Sequence, residues 1–242
     1  VDEQQVNLTR FNLFFPEKRE FFLEGRGNFD FARGTNARGA GIPTLFFSRR
    51  IGLQGADVVP LQAGGRLTGK VGAFDVGALN IQTDDLFRAG AESTNFTVVR
   101  VKRDVLRRST IGGIFTNRSV SLAGDGTNQV YGVDGRLAFF DDLNVLAYAA
   151  RTRTTGRDGQ DGSYFGQLNY AGDRYGLDAG HLIIEDNFVP EVGFVRRGNM
   201  RRSSASARFS PRPRSIDWIR QLTMSASLDY ILAADTRLLE TR

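Results

Sequence analysis

Between residues 130 and 184 apolar and polar positions alternate with a period of two in four successive segments. In YGVDGRLAFF, Tyr131, Val133, Gly135, Leu137 and Phe139 fall on one side, and Gly132, Asp134, Arg136 and Ala138 on the other. A two-residue period predicts a strand. After a turn at Asp141 and Asp142, Leu146, Tyr148, Ala150 and Thr152 alternate with Val145, Ala147, Ala149, Arg151 and Arg153. Beyond the polar stretch TTGRDGQDG, Tyr164, Gly166, Leu168 and Tyr170 alternate with Phe165, Gln167 and Asn169. A turn at Gly172, Asp173 and Arg174 then leads into Tyr175, Leu177, Ala179, His181 and Ile183, set against Gly176, Asp178 and Gly180.

The same reading extends over the rest of the chain. LFFSRRIGL, GGRLTGKV, FDVGALNIQT, NFTVVRVKR, STIGGIFTN, MRRSSASARF and QLTMSASLDYIL are the further expected strands, about eleven in all from Thr44 onward. In FDVGALNIQT the phase of Phe74, Val76 and Ala78 also contains Asn80 and Gln82, which points to a bulge. Strands of about nine to eleven residues are long enough to cross a bilayer when tilted. Tight turns alternate with long loops, the asymmetry of outer-membrane barrels. Phe139, Tyr170 and Tyr175 sit beside tight turns, and Tyr131 and Tyr164 beside long loops, as two aromatic girdles would. The expected fold is therefore all-β: an antiparallel up-and-down transmembrane β-barrel, partial, of about eleven or more strands over residues 44–242. An irregular junction or plug-like segment, residues 1–43, precedes it on the periplasmic side. A soluble meander or lipocalin-like barrel, with its apolar face inward, gives the same alternation.

Composition narrows the classes. The 242 residues include 28 glycines and no cysteine, so disulfide frameworks and thiolate metal sites are excluded. No run of eighteen apolar residues exists, which excludes a helical span and leaves strands as the only way across a membrane. The net charge of +5 comes largely from arginines scattered through alternating segments, without a nucleic-acid reading motif. A basic interior, or loops facing lipopolysaccharide phosphates, accounts for them as well. The first residue is Val1 and the last strand has no aromatic terminus, so the chain is expected to be an internal piece of a longer protein.

LTRFNLFFPEKREFFLEGRGNFDF carries seven phenylalanines around a charged cluster. Pro16 opens a short helix there, with Glu17, Glu20 and Glu24 on one face. A solvated acidic face above packed phenylalanines is the expectation, since Lys18 and Arg19 supply counter-charge and no histidine is near. His181, the sole histidine, falls in the apolar phase near a long loop, where an interfacial role is expected rather than that of a general base. No metal site, catalytic residue or cofactor is expected, and the glycine clusters lack the strand-to-helix context of a phosphate loop.

NLTRFNLFFPEKREFFLEGRGNFDF, LFFSRRIGL, GGRLTGKVGAFDVGALNIQTD and EDNFVPEVGFVRRG, in this order, resemble a family of bacterial outer-membrane proteins of uncharacterised function. In that family a periplasmic domain resembling family-nine carbohydrate-binding modules precedes a C-terminal β-barrel. The resemblance implies a bacterial outer-membrane location for nearly the whole chain. It carries over no sugar-binding or catalytic residue.

The candidate ligand surface is the polar set expected to point inward: Arg66, Lys70, Arg100, Lys102, Asp134, Arg136, Arg151, Arg153, Gln167, Asn169 and Asp178. Such a surface favours anionic or hydrogen-bonding solutes. The expected function is binding or uptake of polar solutes, saccharide-derived ones among them, by a barrel in contact with outer-membrane lipid and lipopolysaccharide. The alternatives are an outer-membrane hydrolase acting on lipid or polysaccharide, and a plugged structural or adhesive barrel.

Overall fold

The computed structural model describes residues 15–32, 41–55, 57–123, 125–213, 220–235 and 239–241. The fold is all-β, dominated by one antiparallel sheet in which every strand pairs with its neighbours in sequence. A two-stranded ribbon of β1 (Leu53–Gln54) and β2 (Asp57–Val58) comes first. The main sheet follows with β3 (Leu61–Val71), β4 (Phe74–Thr83), β5 (Asn95–Val105), β6 (Ser109–Arg118), β7 (Asn128–Phe139), β8 (Leu143–Thr154), β9 (Gly162–Ala171), β10 (Tyr175–Ile184), β11 (Met200–Phe209), β12 (Met224–Ala233) and the short β13 (Leu239–Thr241). Tight turns at 72–73, 106–108, 140–142 and 172–174 alternate with loops at 84–94, 119–127, 155–161 and 185–199. At the tightest, Gly72 takes φ 60°, a left-handed conformation that a side chain disfavours. The connection from β11 to β12, on the turn side, is long and passes through residues outside the described set. Among the described residues no helix is long and apolar enough to cross a membrane, which has no bearing on strands.

Period two sorts the side chains of β4 to β10 into a packed face and an open face. Leu79, Ile81, Phe96, Val98, Ile114, Val130, Leu146, Tyr148, Ala150, Phe165, Leu182 and Ile184 are buried on the packed face. What covers them comes from outside the sheet: Phe22, Phe29, Phe31, Ala32, Leu45 and Ile51 of the N-terminal segment, and Phe188 and Val192 of loop 185–199. The segment itself has little regular structure, with a one-turn helix α1 (Glu20–Leu23) and 3-10 turns at Arg26–Phe29 and Ser48–Arg50.

Among the described residues nothing covers the open face, which is nonetheless apolar. Leu67, Val71, Phe74, Val101, Ile111, Val133, Leu168, Leu177, Met224 and Leu228 stand exposed on it, Leu67 at 70% and Val133 at 62%. Phe139, Tyr170, Tyr175, Tyr131 and Tyr164 share this face, as their alternation with the polar set predicts. Soluble monomers rarely leave an apolar patch of more than a few hundred Å² uncovered.

Two sequence expectations change. LFFSRRIGL is not a strand of the sheet. Its backbone pairs with loop 185–199, through Thr44 N–H to Phe194 O at 2.9 Å, Phe194 N–H to Thr44 O at 2.7 Å and Phe47 N–H to Val192 O at 2.8 Å, then enters the 3-10 turn. The packed segment therefore reaches past residue 43, and the long strands number ten, with the three-residue β13 as the eleventh in the sheet. The expected bulge is also displaced: β4 keeps one phase throughout, and the register shift lies in β3 between Leu61 and Ala63. Asn80 and Gln82 are accommodated on the open face of β4 by a polar ladder near the loops. Asn80 donates to Asn95 Oδ1 at 2.9 Å and Thr97 Oγ1 at 2.8 Å, and Gln82 to Ser93 Oγ at 2.9 Å.

Candidate functional site: the packed face and its N-terminal segment

Four of the polar residues of the packed face, Arg66, Arg100, Lys102 and Asp134, hold the segment down. Arg66 on β3 donates to the carbonyls of Phe21 and Glu24, meets the Glu24 carboxylate at 2.5 Å and lies over the Phe21 ring. Lys102 on β5 reaches the Gly27 carbonyl at 3.1 Å. These cations meet carbonyls of α1, its C-cap and the following 3-10 turn, and the Gly27 carbonyl also accepts the Asp30 N–H at 3.4 Å.

The centre of the arrangement is Arg100, 2% exposed on β5. Its guanidinium forms a two-pronged ion pair with Asp134 on β7, at 2.7 Å through Oδ1 and 2.9 Å through Oδ2. Nε donates to the Asp30 carbonyl at 3.1 Å, and the Phe31 ring lies 5.4 Å away. Asp134 Oδ2 also accepts the Ala32 backbone N–H at 2.9 Å. One buried pair thus clamps residues 30–32 to two strands. A buried charge pair needs such additional hydrogen bonds to offset its desolvation.

Glycines on this face make room for the segment. A Cβ on Gly77 would lie 3.0 Å from the Phe29 ring, one on Gly112 would lie 2.7 Å from Arg100, and one on Gly132 would lie 2.8 Å from Leu45 and 2.9 Å from Phe31. On the open face, Gly113, Gly135 and Gly166 have ordinary or empty surroundings.

Two further clamps lie outside the expected ligand set. Glu17, expected on a solvated face, is 7% exposed. Its carboxylate accepts from Arg19 Nε and NH2 at 2.9 and 2.8 Å, from the backbone N–H of Lys18 and Arg19, and from Ser48 Oγ at 2.7 Å. Arg19 in turn donates to the carbonyls of Ile51 and Ser48, both at 2.8 Å. Burial pushes the Glu17 carboxyl up, but the hydrogen bonds from Arg19 and Ser48 outweigh it and bring the pKa down to about 2. At the loop end Glu191 accepts from Ser121 Oγ at 2.7 Å and the Leu122 N–H at 2.8 Å, with Arg118 at 3.8 Å. The Glu191 N–H donates to Asn128 Oδ1 at 3.1 Å. Glu20 and Glu24 do remain exposed, Glu24 facing Arg66.

The other expected ligand residues divide in three. Gln167, Asn169 and Asp178 lie on the packed face of β9 and β10, beyond the clamps, where both amides donate to the Asp178 carboxylate at 2.8–3.0 Å. Lys70 and Arg136 keep the packed-face phase at the turn end, Lys70 within 3.6 Å of Asp104 and Arg136 exposed. Arg151 and Arg153 belong to the open face instead, as cross-strand partners of Tyr131 and Gln129. The phase of β8 is set by Leu146, Tyr148 and Ala150, which pack beneath the segment, and Arg151 at the loop end pairs with Asp161 at 2.7 Å. The eleven residues therefore do not converge on one site.

His181 lies on the open face, with Nδ1 2.7 Å from Ser203 Oγ. Its cross-strand partners are Gly166 and Ser203, so no carboxylate orients the ring from the adjoining positions. Among the described residues no group of three or more histidine, aspartate or glutamate side chains is placed to hold a metal ion. Comparison with protein-family models, with curated proteins and with solved structures gives no match.

Proposed function

We propose that this chain forms part of the wall of a bacterial outer-membrane β-barrel, and that residues 15–32 and 41–53 with loop 185–199 act as its internal plug. The barrel would serve binding or gated uptake of polar solutes rather than free diffusion through an open pore. One observation carries this reading: both faces of the sheet are apolar, one covered by the chain's own segment and the other uncovered among the described residues. A soluble barrel of lipocalin type needs only its inner face apolar. Here the uncovered face carries the large residues, edged by Tyr131 and Tyr164 toward the loops and by Phe139, Tyr170 and Tyr175 toward the turns. That order matches an aliphatic band between aromatic girdles.

The clamps favour the plugged form. Arg66, Arg100 and Lys102 are the cations an open anion-selective pore would present, and each is engaged with the segment. Saccharide-derived solutes remain the proposed class on the strength of the family resemblance and of the amide and carboxylate groups on β9 and β10.

Val133→Arg tests the membrane reading. In bilayers an arginine near mid-strand on a lipid face costs roughly 2–4 kcal/mol. Were the face in water, an exposed substitution of this kind would move stability by no more than about 0.5 kcal/mol. Unfolding in urea with phosphatidylcholine vesicles distinguishes the two, and a loss below about 1 kcal/mol would refute the lipid-facing assignment. Planar-bilayer recording of the full-length protein tests the plug: no steady conductance is expected, and stable anion-selective steps would overturn it.

A further inference from the structure

The open face contains a groove of about 790 Å³ whose lining is almost wholly apolar. That volume falls within the range of small-ligand sites, roughly 300–1,000 Å³. Its floor includes small cross-strand neighbours: Gly113 and Ala149 flank Val133, and Gly135, set between Ile111 and Ala147, carries no side chain. A Cβ on Gly135 would meet nothing closer than 3.7 Å, so no group among the described residues requires the glycine there. Toward the turns the groove ends at Phe74 and Arg103, cross-strand partners on β4 and β5. The Arg103 guanidinium stands 5.2 Å over the Phe74 ring and has no hydrogen bond or ion pair among the described residues.

We propose that this groove is a site for an anionic phospholipid, with an acyl chain lying over Gly113, Gly135 and Ala147 and the headgroup phosphate on Arg103. The inference rests on the membrane reading above. An apolar trough ending in an uncommitted cation, two residues from the end of its strand, has the polarity of a lipid with its phosphate at the interface. Arginine suits that phosphate because its planar donors engage two oxygens at once. Turn-side placement selects a glycerophospholipid of the periplasmic leaflet over the lipid A of the outer one.

The test uses the full-length protein, delipidated in detergent and titrated with dioleoyl phosphatidylglycerol, dioleoyl phosphatidylcholine or lipid A, with bound lipid counted by native mass spectrometry. Flotation with vesicles is measured on the same preparations. Wild type is expected to retain one phosphatidylglycerol at least tenfold more readily than phosphatidylcholine or lipid A. Arg103→Gln should abolish the preference for the anionic headgroup, and Arg103→Lys should restore part of it. Gly135→Leu, which fills the groove from an uncrowded position, should remove retention of both dioleoyl phospholipids. Equal retention by wild type and both Arg103→Gln and Gly135→Leu, or a preference for lipid A, overturns the site while flotation leaves the membrane reading standing. Failure of wild type to float with vesicles overturns both.

Discussion

Removing the Asp134 carboxylate should release residues 30–32 from the sheet. In the wild type Arg100 is 2% exposed and its charge is answered by both oxygens of Asp134, with the Asp30 carbonyl and the Phe31 ring as further company among the described residues. Asp134→Ala leaves that guanidinium buried and unpaired and deprives the Ala32 N–H of its acceptor. Breaking a buried pair from one side costs about 3–5 kcal/mol. Against a typical total of about 5–15 kcal/mol that is a large fraction. The cost has a cheaper escape than global unfolding: the segment can lift, letting water reach Arg100. Because the sequence has no cysteine, Ala32→Cys provides a single thiol at a position 1% exposed. Maleimide labelling should be slow in an otherwise wild-type background and at least tenfold faster with Asp134→Ala. Urea unfolding of the same proteins gives the energetic side. An Arg100→Met, Asp134→Leu double variant removes both charges and should recover most of the stability. Labelling that stays slow in Asp134→Ala, with a stability loss under about 1 kcal/mol, would show that the pair does not hold the segment.

Two more substitutions probe the packing and the acid response. Gly132→Val places carbon within about 3 Å of Leu45, Phe31 and Ile114 and should cost about 1–3 kcal/mol in urea unfolding, while Gly135→Ala, on the other face of the same strand, should change stability by no more than about 0.5 kcal/mol. Equal effects would refute the division into packed and open faces. Glu17 has its folded pKa depressed to about 2 from 4.5, so the unfolded chain binds the proton first and the contribution is complete above 4.5 and lost as pH falls toward 2. Glu17→Gln should therefore flatten the stability profile over that window, with a deficit on the order of 3 kcal/mol at neutral pH that shrinks toward pH 2. Parallel wild-type and variant profiles from pH 7 to 2 would refute the assignment.

Sequence periodicity carried the strands because each needs only its own alternation. It placed Arg100, Lys102, Asp134, Gln167, Asn169 and Asp178 on one face, and the five girdle aromatics on the other. It failed where both faces are apolar. In β8, Leu146 and Tyr148 pair off against Val145, Ala147 and Ala149, and nothing local says which set is covered, so Arg151 and Arg153 were assigned inward by their charge. Position along the strand decides instead, since an arginine at the loop end can reach Asp161 and water from the open face. LFFSRRIGL shows a different failure. Its strand-like composition is real, but its backbone partners come from a loop about 150 positions later, as between Thr44 and Phe194. The helical spacing of Glu17 with Glu20 and Glu24 predicts one solvated face, whereas α1 begins only at Glu20 and leaves Glu17 outside it.

The glycines of the packed face show how closely sheet and segment are fitted. A glycine inside a regular element costs roughly 0.5–1 kcal/mol relative to alanine. Gly77, Gly112 and Gly132 each sit where a side chain from the segment, or the arginine that clamps it, occupies the space of a Cβ. The strands are thus shaped for a covered face, and an emptied one would leave Leu79, Val98, Ile114 and Tyr148 in water as well. Wholesale ejection of the segment is accordingly a costly way to open a path. The part of the packed face that the core does not cover lies at the other side of the sheet, where Gln167, Asn169 and Asp178 adjoin the exposed Ser206 and Ser227. On the proposed function, a polar solute would meet the protein there, along amides, hydroxyls and a carboxylate, while the arginine-rich half stays closed. That division also explains why a basic overall charge need not make an anion pore: the cations best placed to attract a solute are already bound to the chain's own carbonyls.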